Sequence, residues 1–125
     1  MAAPNIVNVC TITGLTTMVS IANTNTSNVI LSNAASSGKV MKINTILAAN
    51  IDGIADADVT VKITDGAAGA GTSFALANTV SVSADATLVL IGKDSPIYLE
   101  ENRSIIALAS GADDICITCS YEEIS

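Results

Sequence analysis

Asp58-Val59-Thr60-Val61-Lys62-Ile63-Thr64 alternates polar and aliphatic residues without a break. Successive side chains on an extended chain point to opposite faces, so Val59, Val61 and Ile63 share one side. Asp58, Thr60, Lys62 and Thr64 take the other. A helix would scatter the same residues around its axis, whereas a half-buried strand requires this order.

Comparable β-branched runs occur at 6–13, 15–22, 28–32, 40–51, 73–77, 79–83, 87–92, 96–99, 104–110 and 114–121. Between them lie turn signals at 13–14, 23–25, 36–38, 52–53, 65–66 and 111–113, rich in Gly, Asn and Asp, which tolerate the positive φ of tight turns. No window carries a convincing i, i+3, i+4, i+7 stripe, although one short helical turn fits the alanine content. The Ala/Gly segment 66–71 reads as a loop tip. Strands and turns at this spacing predict an all-β chain, an antiparallel β-sandwich of jelly-roll-like form with about 8–10 short strands. Residues 1–125 are expected to form a single domain with a short N-terminal arm at 1–5.

Half of the 125 residues are hydrophobic, yet the aromatic residues number only three, Phe74, Tyr98 and Tyr121. The core must then be built from Ile, Val, Leu and Ala, which bury less area each than an aromatic ring. Association is a common way to offset such a shortfall, and it predicts a homo-oligomer. Tyr98 and Tyr121 fall in strand patterns and are expected to be buried.

Charged residues make up 14% of the chain, against about 25% in an average soluble domain. The surface is accordingly Ser, Thr, Asn and Gly. A net charge of −7, with Lys39, Lys42, Lys62, Lys93 and Arg103 scattered, argues against nucleic acid as a partner. Mean hydropathy is +0.55, but no apolar run approaches the roughly 20 residues of a membrane span, so no membrane partner is expected. The start Met1-Ala2-Ala3-Pro4-Asn5 lacks the features of a signal peptide, which predicts synthesis in the cytoplasm.

The chain contains no histidine, the commonest general base and metal ligand. Gly38-Lys39 follows serines without the Gly-x-x-x-x-Gly-Lys frame of a phosphate loop. Cys116 and Cys119 form a literal Cys-x-x-Cys, but in a strand thiols three residues apart face opposite sides, about 10 Å apart along the chain. With Cys10 as the third thiol, they read as small buried hydrophobes rather than a zinc or redox site. A bridge from Cys10 to one of them is not expected in a reducing compartment. The acidic pairs Asp56/Asp58, Glu100/Glu101, Asp113/Asp114 and Glu122/Glu123 lack the Asp-x-Asp-x-Asp-Gly frame of a calcium loop and read as solvated turn carboxylates. Gly14, Gly38, Gly53, Gly66 and Gly92 read as turn glycines, with no dinucleotide fingerprint among them. No catalytic, cofactor-binding or metal residue is therefore assigned, no cofactor is expected, and the chain is read as no enzyme.

Gly38-Lys39-Val40-Met41-Lys42-Ile43-Asn44-Thr45-Ile46, continuing through Ala48-Ala49-Asn50-Ile51-Asp52-Gly53 to Asp58-Val59-Thr60-Val61, resembles small structural proteins of tailed bacteriophages, especially those of marine cyanobacteria. Pro96-Ile97-Tyr98-Leu99-Glu100-Glu101-Asn102-Arg103-Ser104-Ile105 is similar to a strand-turn-strand pattern, YLEEGDSI, of phage virion β-sandwiches. Asn102 stands where that pattern has Gly and Arg103 where it has Asp. Asn tolerates the left-handed turn conformation, so the fold expectation survives the departure, while acidic turn chemistry does not.

The resemblance implies a virion component assembled in the host cytoplasm. The first expectation is a capsid decoration or cement protein that binds the major capsid protein and stabilises capsomer contacts, with the arm at 1–5 and strand-edge pairing as means of attachment. A trimer would suit a local threefold axis. The alternatives are a neck, tail or fibre protein, or a carbohydrate-binding adhesion module. The absence of Trp weighs against the last.

Overall fold

The computed structural model describes residues 11–22 and 27–125. Nine strands run through them: β1 (Ile12–Ser20), β2 (Asn28–Asn33), β3 (Val40–Asn50), β4 (Ala57–Thr64), β5 (Ser73–Val82), β6 (Thr87–Ile91), β7 (Ile97–Leu99), β8 (Arg103–Ala109) and β9 (Ile115–Ile124). One sheet, here sheet A, has the order β1-β9-β3-β6, with β7 also on β3. Sheet B has the order β2-β8-β4-β5. Every pairing is antiparallel. The chain crosses between the sheets at most connections, and this order is that of a jelly roll in which one strand is split into β6 and β7.

Alternation decides which residues meet between the sheets. Val59 and Val61 of β4 are fully buried and meet Ile43, Ile46, Ile105, Ile115, Ile117 and Leu99 from the strands around them. Each such aliphatic side chain contributes about 1.5–3 kcal/mol by leaving water. The core contains no fully buried aromatic ring among the described residues. Tyr121 packs half-buried against it, whereas Tyr98 is 43% exposed and Phe74 58% exposed, contrary to the burial expected for Tyr98. Its register partner, Lys42, explains the difference: Tyr98 lies on the outer face of sheet A.

Several boundaries depart from the sequence reading. Gly14 is no turn residue, for it sits inside the continuous strand β1; residues 6–10 of the expected strand 6–13, the arm at 1–5 and the turn at 23–25 lie outside the described residues. The two runs 73–77 and 79–83 are one strand, β5, with register shifts opposite Val59–Val61 and Val61–Lys62. Thr79 takes φ 52° there, and its N–H turns to the Thr60 hydroxyl (2.9 Å) instead of the ladder.

Segment 66–71 is no free loop tip. A single 3-10 turn, Ala67–Gly69, lies over β2 and β8. The Ala67, Ala68 and Gly69 N–H groups donate to Asn102 Oδ1 (3.2 Å), Ser32 Oγ (2.9 Å) and Ser104 Oγ (2.8 Å). The Ser104 and Thr64 hydroxyls lie within hydrogen-bonding reach of the Gly66 carbonyl (2.9 and 2.7 Å) and of each other; with one proton apiece, one donates to the carbonyl and the other donates either to the carbonyl or to its neighbour. Thr64 keeps its predicted place on the polar face of β4 yet is 1% exposed, because this segment covers it.

Two buried asparagines tie down the loops at strand ends. Asn33 Nδ2 donates to the Lys39 and Leu99 carbonyls (2.9 and 3.1 Å), and its Oδ1 accepts from Ser37 Oγ (2.6 Å). Asn50 Nδ2 donates to the Ala55 and Val82 carbonyls (both 3.0 Å), and its Oδ1 accepts from the Asp52 N–H (2.9 Å). Each amide thus replaces backbone pairing where a strand gives out.

A candidate assembly surface

Residues singled out for chemistry do not converge. Cys119 points into the core and is fully buried, while Cys116 lies on the opposite face of β9, partly covered; Cys10 is outside the described residues. Burial pushes the Cys119 thiol up to about 11, which makes it a neutral packing group at ordinary pH. Burial, and then the nearby Glu123 carboxylate, also raises Tyr121. The acidic pairs sit on different elements, and among the described residues no three His, Cys, Asp or Glu side chains are placed to share a metal ion. Glu123 pairs with Lys39 (2.8 Å) and Glu100 with Arg103 (3.5 Å). Asn102 does adopt the left-handed conformation expected of its turn, at φ 58°.

The outer face of sheet A stands apart. Register places Met18, Thr118, Leu47 and Val89 side by side in one row across four strands. Ser20, Cys116, Ala49 and Thr87 form the next row, and Thr16, Ser120 and Thr45 the row on the other side. Lys42 and Glu122, cross-strand neighbours near one end, are the only charged residues on the strands of this face. Met18 is 74% and Val89 59% exposed, and Tyr98, 43% exposed, lies in the same row as Lys42 and Glu122. A chain of net charge −7 therefore keeps one broad sheet face almost free of charge. Such a face, of aliphatic and short hydroxyl side chains, has little entropy to lose on contact.

Sheet B presents a different surface. The 3-10 turn covers one end, and the other is a shallow depression of about 300 Å³ lined by Asp58, Thr60, Lys62, Asn78, Thr79 and Leu108 among others. It exposes opposite charges and no aromatic ring. Ile54, 95% exposed in the loop after β3, adds a separate apolar point.

The sequence supplies the strands of sheet A, apart from the turn it suggests inside β1, but not the outer face of that sheet. No single segment is conspicuous there; only the cross-strand order β1-β9-β3-β6 brings the uncharged alternate positions of four segments together. The available signal was the lack of any charge in Ile12–Ser20 and Thr87–Ile91.

No protein-family model matches the chain, and no curated protein is similar to it. Among solved structures, the chain is similar to a protein of Bacillus endospore appendages, described as a novel family of disulfide-linked pili. The TM-score is 0.53 with 14% sequence identity, over 92% of this chain and 88% of that one. The likeness is one of fold. No helix among the described residues is long and apolar enough to cross a membrane.

Proposed function

We propose that this protein is a non-enzymatic structural subunit that builds an ordered assembly through the outer face of sheet A. The observation that carries the reading is the near absence of charge on that face, with Met18 and Val89 exposed on its two outermost strands, in a strongly acidic chain. Hydrophobic burial is non-directional, so a flat β-sheet face supplies the affinity and the surrounding acidic surface restricts where contact occurs. The resemblance of 38–61 and 96–105 to phage virion proteins favours a decoration protein on a capsid as the particular role. The fold likeness to a pilus protein favours a filament of like subunits as the second reading.

Sedimentation velocity over a range of concentrations, followed by negative-stain microscopy, tests the proposal. Association that is weakened by Met18→Asp or Val89→Asp is expected; a monomer at every concentration, with no binding to other virion components, overturns it. Co-sedimentation with tailed-phage heads stripped of decoration supports the capsid role. Self-assembled fibres support the second.

A further inference from the structure

We propose that β1 pairs with β1 of a second copy, antiparallel about a twofold axis through Thr16, so that two sheets A become one continuous sheet. The proposal rests on the self-assembly reading above and adds to the face contact a second one, at the β1 edge of the same sheet.

Thr11 and Ser125 exchange both backbone hydrogen bonds (3.0 and 2.9 Å), and the Ile21 N–H donates to the Ile115 carbonyl (2.9 Å). In an antiparallel ladder this phase makes the odd-numbered residues of β1 bond to β9. The N–H and C=O groups of Ile12, Gly14, Thr16, Met18 and Ser20 then point away from β9, where the described residues provide no strand. An edge of this kind invites strand addition unless it is guarded by charge, proline, a bulge or a cover.

The other sheet edges carry such guards. β2 is bulged between Val29 and Leu31 and lies against the 3-10 turn. β5 has two register shifts. The edge formed by β6 and β7 is interrupted by a segment containing Lys93 and Pro96. β1 alone pairs in unbroken register from Ile12 to Ser20, with no charged residue and no proline.

A second copy fits this edge by its own symmetry. Pairing Thr16 with Thr16 sets Gly14 opposite the partner's Met18 and Ile12 opposite the partner's Ser20, with outward-pointing backbone groups meeting throughout. A Cβ at Gly14 would meet nothing within 4 Å, so the partner's Met18, a long and adaptable side chain, has room to lie across it. Charge repulsion is absent within the contact because neither strand carries any.

Disulfide trapping tests the register. In a Cys10→Ser, Cys116→Ser background, Thr16→Cys should form a covalent dimer under mild oxidation, since Cα atoms of a hydrogen-bonded antiparallel pair lie about 5.5 Å apart. Met18→Cys should not, because the twofold axis separates the two positions by about 13 Å of strand. Thr16→Pro, which removes an N–H that β9 does not use, should weaken association at least tenfold. Wild-type association that survives Thr16→Pro, with no Thr16→Cys dimer, overturns this contact while leaving self-assembly intact. A wild-type chain that never associates removes both. Association that appears only after deletion of residues 1–10 assigns the edge to the chain's own segment and overturns the proposal. Where Thr16→Pro fails to fold by circular dichroism, the contrast between the two cysteine variants decides.

Discussion

No pattern in the sequence marks Asn33, and Asn50 reads there only as one residue of the strand run 40–51. Their burial depends on which carbonyls the fold leaves unpaired, and neighbouring sequence does not encode that. Replacing either by Leu strands buried carbonyl and N–H groups, and urea denaturation should show a loss of about 2–4 kcal/mol. Asn102 was legible, since its left-handed conformation follows from local chemistry alone. Cys119 carries a further expectation. Its thiol titrates at 9.0 when unfolded and at about 11 when folded, so the folded state holds the proton more tightly. Stability from this group is fully present below pH 9 and is lost, by about 2–3 kcal/mol, as pH rises through 11. Tyr121, also raised, acts in the same direction. Thermal melts of Cys119→Ala should therefore start lower at neutral pH, by about 1 kcal/mol of cavity cost, but decline less steeply across the alkaline range.

Alternation identified strands because each half-buried strand repeats its signal over several residues, as Ala57–Thr64 does. Irregularities were less legible. β5 was divided in two at Asn78 because a bulge and a turn draw on the same residue types. Thr79 holds a positive φ that a β-branched residue adopts at a cost, so Thr79→Asn should stabilise the chain by about 1 kcal/mol while preserving the bulge. The segment 66–71 reads as a tip because glycine and alanine reveal nothing of what covers them. Gly71 has φ +80°, and a Cβ there would collide with Asp65 Oδ1, whose partner is the Thr72 N–H. Gly71→Ala should cost about 2 kcal/mol or more and raise hydrogen exchange at Ala67–Gly69, which NMR would detect.

The two-sheet sandwich was legible as a class, since turn-punctuated aliphatic runs leave few other solutions. The assembly surface was not, because it depends on the order in which non-consecutive strands lie. That surface predicts an unusual salt response. Copies carrying a charge of −7 repel one another, and sheet A's face offers few ion pairs for salt to weaken. Association should thus strengthen between low ionic strength and about 0.5 M salt, where the screening length falls below 10 Å. Sedimentation equilibrium would measure it; weakening over that range would mean that Lys42 and Glu122, rather than the aliphatic rows, dominate the contact.

The pairing of β1 with β9 also has a consequence in time. Ile12–Ser20 leaves the ribosome with its ladder partner still about a hundred residues from synthesis, so the first strand of sheet A cannot dock until nearly the whole chain has emerged. Throughout that delay a nascent chain displays both margins of an uncharged ribbon, in reach of its neighbours on the same message. The time taken to translate from Ser20 to Ile124 sets the length of that exposure.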